Sequence, residues 1–134
     1  MNAWFDSAKR LPVVARLLAV FAVLAALASV ALGAVAAHLP VFAQGVPPSF
    51  SSAQQMMQFH ALAILLALMW RAQSLRRTAW CLAAALFATG IVLFSINIDL
   101  RLLLDWQATR ALVPWGGSAF ILGWLCMLWA VLGS

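Results

Sequence analysis

LLAVFAVLAALASVALGAVAAH, residues 17–38, is the stretch whose reading decides the fold. Its 22 residues include no Asp, Glu, Lys or Arg, and its one titratable side chain is the last, His38. A helix of that length is roughly 33 Å long, enough to cross a hydrocarbon core of about 30 Å. Once this segment lies in a bilayer, the apolar blocks that follow read the same way. Hydrophobic residues make up 66% of the 134 residues and charged residues only 8%, a membrane composition for a chain of one-domain size.

The net charge of +5 comes from eight Lys and Arg against three acidic residues. That is too sparse for the clustered basic face that nucleic acid requires, so no nucleic-acid partner is expected. Cys81 and Cys126 both fall inside apolar blocks, without metal-ligand or disulfide spacing, and read as small buried thiols.

Residues 1–16 form a mixed leader with Asp6, Lys9, Arg10 and Arg16, expected on the cytoplasmic side. It resembles a signal-peptide n-region, and Ala34-Val35-Ala36 resembles a cleavage site, but the apolar core exceeds the usual ~7–15 residues, so the segment is expected to stay as a span. Leu39 to Phe50, with Pro40, Gly45, Pro47 and Pro48, reads as a loop. Ser51 and Ser52 precede Gln54 and Gln55 at capping-box spacing, which predicts a second helix from about 53 to 70. After the basic loop Arg71–Arg77 comes a third span over 78–98. A mixed-charge connection with Asp99, Arg101, Asp105 and Arg110 leads to a fourth span over 114–132, with Pro114 in its first turn, where the missing N–H does no harm.

Arg and Lys are absent from the first loop and concentrated in the leader and the second loop. The positive-inside rule then predicts both termini in the cytoplasm, with Trp70 and Trp80 flanking the inner loop and Trp106 and Trp115 the outer one, as interfacial residues. Small residues recur at heptad-like spacing: Ala22, Ala26, Ser29, Gly33 and Ala36 in the first span, Cys81, Ala84, Ala88 and Ser95 in the third, and Gly116, Ala119, Gly123, Cys126, Ala130 and Gly133 in the fourth. In lipid, close backbone approach through small residues holds helices together. The expected architecture is an all-α membrane protein, an antiparallel four-helix transmembrane bundle forming one domain.

No predicted span carries an ionisable residue other than histidine near its middle, which argues against a proton-coupled pump. The groups left for chemistry are His38, His60, Gln58, Ser95 and Asn97. His60 lies on a stripe with Met56, Ala63 and Ala67, so it is expected to face the bundle and to bond to Ser29, Ser95 or Asn97 of a neighbouring helix. His38 ends its helix, where a partly positive group complements the dipole. Ser95 and Asn97 are expected to bond across helices or to interfacial water, and Gly116-Gly117 to mark a close backbone contact. Two histidines do not complete a metal site. No nucleophile–base pair, phosphate loop or metal-ligand cluster is present in the sequence, so catalysis and a cofactor are not expected.

Four groups of residues carry a resemblance: Ala31-Leu32-Gly33-Ala34 with Ala37-His38; Gln58-Phe59-His60-Ala61-Leu62-Ala63; Gly90 with Leu93-Phe94-Ser95; and Pro114-Trp115-Gly116-Gly117 with Leu122-Gly123-Trp124. In this order the chain resembles the YgdD/YwdK family of small bacterial inner-membrane proteins, domain of unknown function 423. The resemblance implies a four-span plasma-membrane protein and brings no biochemical activity with it. Ile96-Asn97-Ile98-Asp99 departs from the Gly-Ser-Leu-Tyr usual in that family. The functional expectation is a structural or accessory component whose partners are the lipid bilayer and either itself or a larger membrane complex. The rival expectations are a module binding haem, quinone or metal through His38 and His60 with Gln58, and a minimal dimeric transporter.

Overall fold

The computed structural model describes residues 12–133. Most of the leader, with Asp6, Lys9 and Arg10, lies outside the described residues, as does Ser134. The described chain is helical, without a strand. Helix α1 is Val13–Ala36, α2 is Pro48–Arg71, α3 is Arg77–Gly90, α4 is Asn97–Leu104 and α5 is Val113–Leu132. Six π-helical residues, Ile91–Ile96, join α3 to α4 without a break, so one rod runs from Arg77 to Leu104. Short 3₁₀ turns at Pro40–Phe42 and Arg110–Leu112 complete the connections.

Among the described residues three helices are long and apolar enough to cross a membrane: α1, the Arg77–Leu104 rod, and α5 with its preceding turn. Outward-facing Leu, Val and Trp side chains cover their surfaces, as lipid contact requires and water would penalise. The chain is an all-α membrane bundle. Helix α2 is long enough but less apolar, because Gln54, Gln55, Gln58 and His60 crowd its first half. Two of those four, Gln54 and His60, turn inward and are buried.

The helix bounds differ from expectation in three places, each for a local reason. Helix α1 starts at Val13, four residues before the apolar stretch, with Arg16 exposed in its first turn. Helix α2 starts at Pro48, not at Ser52, and Ser52 caps nothing: Pro47 is the N-cap residue and Pro48 occupies the first turn. The third rod continues through Asp99 to Leu104, where Asp105 turns into the left-handed region (φ 52°) and stops it. Asp99, expected in a connection, is therefore a buried helical residue.

The rod is the shared element, against which α1, α2 and α5 all pack. On α1 the buried small residues Ala15, Ala22, Ser29 and Ala36 recur every seventh position, as a left-handed antiparallel seam requires. On α5, four of the six small residues in the row, Gly116, Ala119, Gly123 and Ala130, are buried, while Cys126 and Gly133 are half-buried. Gly33 is the exception on α1. It is exposed, and a Cβ there would meet nothing, so it is not a packing residue. Trp80 is likewise no interfacial residue but part of the core, 2% exposed.

Candidate functional site

The α3–α5 contact is built from a twice-used pattern, Phe87-Ala-Thr-Gly90 and Phe120-Ile-Leu-Gly123. The helices run antiparallel, so each phenylalanine meets the other helix's glycine. A Cβ on Gly123 would lie 2.6 Å from Phe87 Cε1, and one on Gly90 would collide with the Phe120 ring. One step further in the same register, a Cβ on Gly116 would lie 2.6 Å from the backbone nitrogen of Phe94, inside the π-helical segment. Three glycines thus let two helices close until rings and backbone fill the space that side chains would take. Gly90 is the member of this set that the heptad stripes miss, because it lies off the Cys81–Ala84–Ala88 row.

The two phenylalanines converge on His60 of α2. Its ring stacks on Phe120 at 3.7 Å between centroids and 12° between planes, and tilts against Phe87 at 5.2 Å. Phe59 meets its other side edge-on at 5.4 Å. The indole Nε1–H of Trp124 donates to His60 Nε2 at 3.1 Å. An indole nitrogen can only donate, so the imidazole proton sits on Nδ1, which donates to the Met56 carbonyl at 2.8 Å. Both ring nitrogens are engaged inside the bundle, and His60 is 3% exposed. His60 faces the interior of the bundle. Its expected partners Ser29, Ser95 and Asn97 do not bond to it: the partner is Trp124 of α5, which reaches His60 because α2 and α5 make little close backbone contact and large side chains bridge the gap.

A second polar layer joins α1, α2 and α4. Ser29 Oγ donates to the Gln54 carbonyl at 3.2 Å, and Gln54 Nε2 donates to Asp99 Oδ1 at 2.8 Å. Gln54 Oε1 and Asp99 Oδ2 are buried with no hydrogen-bond partner, as is Ser95 Oγ one turn before Asp99. Asn97 uses its amide to pin the connection between α4 and α5, donating to the Thr109 carbonyl at 2.7 Å and accepting from Thr109 Oγ1 at 3.2 Å. Beside this layer a groove of about 450 Å³ runs between α1 and the rod. Asp99 is the one polar residue in its lining.

The remaining expected site residues divide clearly. Gln58 is exposed and shares a groove with Gln55 and Phe59, and it makes no hydrogen bond to another helix among the described residues. Gln54 is the buried glutamine, and the capping-box reading hid it by placing it in a first turn. His38 is exposed just past α1 and is not among the contacts of His60, so the structure does not pair the two histidines. Among the described residues no group of three or more His, Cys, Asp or Glu could hold a metal. Gly117 has open space above it and lines the groove in front of His60, so it is not a packing contact. Pro114 is exposed and serves the start of α5, its carbonyl accepting from Ser118 Oγ at 3.1 Å.

No curated protein and no solved structure matches this chain. A family profile described as protein of unknown function (DUF423) matches residues 32–117, which run from the end of α1 through the His60 and Asp99 layers to the first turn of α5. With well over half of its length matched, the chain belongs to the DUF423 family.

Proposed function

We propose that the protein is an accessory, non-catalytic component of the bacterial inner membrane, a four-span bundle with both termini in the cytoplasm that associates with itself or with a larger membrane complex. The observation that carries this reading is the engagement of both His60 nitrogens within the bundle. A histidine whose Nε2 accepts an indole N–H and whose Nδ1–H is given to a carbonyl has no lone pair for haem iron or a metal. It acts as an interhelical fastener, a role polar side chains take in membranes. Helix α2 counts as the fourth span on the strength of its length and its inward-turned polar residues. The orientation follows from the basic residues flanking the Arg71–Arg77 loop.

Mild-detergent purification with identification of all that copurifies tests the role. A self-oligomer or a stoichiometric membrane-protein partner is expected, and a lone monomer carrying stoichiometric haem or metal would overturn it. Reporter fusions after Ser134 and within 45–49 should report cytoplasm and exterior respectively. An exterior signal from Ser134 would reverse the orientation.

A further inference from the structure

The groove between α1 and the rod is apolar along its length, with Phe21, Leu24 and Ala28 on one side and Ile96, Leu103 and Leu104 on the other. Leu24 and Leu104 on its rim are more than half exposed, so it opens on the lipid-facing surface. At about 450 Å³ it falls within the range of small-molecule sites. Asp99 interrupts this lining. It is 5% exposed, its Oδ1 receives one hydrogen bond from Gln54, and its Oδ2 receives none. The other oxygen of that same Gln54 amide is also buried and bare. Both atoms are buried acceptors without a hydrogen-bond partner, and among the described residues no cation pairs with the Asp99 carboxyl. A buried carboxyl left in this state is costly, and an ionisable group at membrane depth is a functional group by default.

We infer that this groove is a binding site for a single-chain lipophilic amine, whose apolar chain lies along α1 and whose protonated nitrogen donates to Asp99 Oδ2. A hard metal cation would need about six oxygen ligands, and this layer offers two bare acceptors in an apolar setting. An alcohol brings a hydrogen but no charge. An ammonium head brings several hydrogens and the missing charge, and the single furrow takes one chain. The site is separate from the His60 cage and does not rest on the accessory reading.

Equilibrium dialysis of the full chain in mild detergent against dodecylamine and dodecanol tests it. The amine should bind one-to-one and at least about tenfold more tightly than the alcohol, a difference of about 1.4 kcal/mol. Asp99→Asn, which keeps an acceptor for Gln54 Nε2, should bring the amine down to the affinity of the alcohol. Ala28→Phe fills the groove from its exposed edge without touching the polar layer and should abolish binding of both. If Asp99→Asn does not fold, the amine-to-alcohol ratio and Ala28→Phe still decide. Equal binding of amine and alcohol, undiminished amine binding by folded Asp99→Asn, or undiminished amine binding by Ala28→Phe would overturn the site. A phospholipid with an amino headgroup that copurifies and resists displacement by dodecylamine would overturn the single-chain occupant.

Discussion

Gly123→Ala and Gly117→Ala make the same chemical change six residues apart on α5, yet the structure predicts opposite outcomes. At Gly123 the new methyl carbon would lie 2.6 Å from Phe87 Cε1 and 2.7 Å from Cδ1. Ordinary contact begins at 3.4 Å, so the ring must retreat by about 0.8 Å. It has nowhere to go: Phe87 is fully buried, with Trp124 5.0 Å away and His60 5.2 Å away, centroid to centroid. Overpacking of this kind costs about 1–3 kcal/mol. Alanine returns up to about 1 kcal/mol through its helix propensity, leaving a net loss of about 0–2 kcal/mol. At Gly117 nothing lies within 4 Å of the added carbon, so only the propensity gain of up to about 1 kcal/mol applies. The difference between the two variants, about 1–3 kcal/mol, isolates the packing cost, because propensity cancels. Reversible unfolding of both variants in mixed detergent micelles measures it. Adding Phe87→Leu to Gly123→Ala should recover part of the loss, with a coupling of about 0.5–3 kcal/mol. If Gly123→Ala proves as stable as Gly117→Ala, the reasoning from interlocked rings and glycines is wrong.

At the histidine cage, His60→Ala removes the stacked ring and strands the Trp124 N–H, and should cost about 2–4 kcal/mol in the same unfolding assay. Trp124→Phe removes only the hydrogen bond and should cost about 0.6–2 kcal/mol, with His60→Gln falling between the two; equal losses for His60→Ala and Trp124→Phe would show that the stacking on Phe120 contributes nothing. In the second layer, Gln54→Leu leaves Asp99 without its donor and should destabilise by about 1–3 kcal/mol. Exchanging both partners, Gln54→Leu with Asp99→Leu, should be the milder change, since it leaves no orphaned carboxyl; a double variant less stable than Gln54→Leu alone would contradict this.

Long apolar runs make the membrane class and the helical rods legible in the sequence, and the small-residue row of α5 marks the face on which Gly116, Ala119, Gly123 and Ala130 are buried. For His60, the face is legible from its row with Ala63 and Ala67. Its partner is not, because which helix lies opposite depends on how far apart the backbones stand, and α2 and α5 are kept apart by the very side chains that meet there. Gly33 and Gly117 look like packing glycines in the sequence, yet a glycine reports only that a side chain is absent, not that a neighbour occupies the space. Asp99 is the most instructive miss. Read by charge, Asp99-Leu-Arg101 belongs to a loop. The chain buries it because Gln54 supplies a donor and Asp105, able to take a left-handed conformation, postpones the end of the helix. The repeated Phe-x-x-Gly pattern on α3 and α5 was open to view in the sequence and is the signal that points to the aromatic cage.

The π-helical segment at Ile91–Ile96 acts as a phase shifter in the rod. A π turn closes its hydrogen bond over five residues where an α turn uses four, so each residue advances the helix by less than the usual 100°. Before it, α3 aims Phe87 and Gly90 at α5; after it, α4 aims Asp99 at α2 and α1. The two halves of one continuous helix are thereby indexed to different neighbours, and each angular setting can be adjusted without disturbing the other. Loss of a single residue between 91 and 96 would return the segment to plain α-helix and leave Asp99 near its present setting, because a π turn holds one residue more than an α turn. Recasting the same six residues as α-helix would instead carry the carboxyl of Asp99 round the rod and off Gln54, while leaving the interlocked rings where they stand.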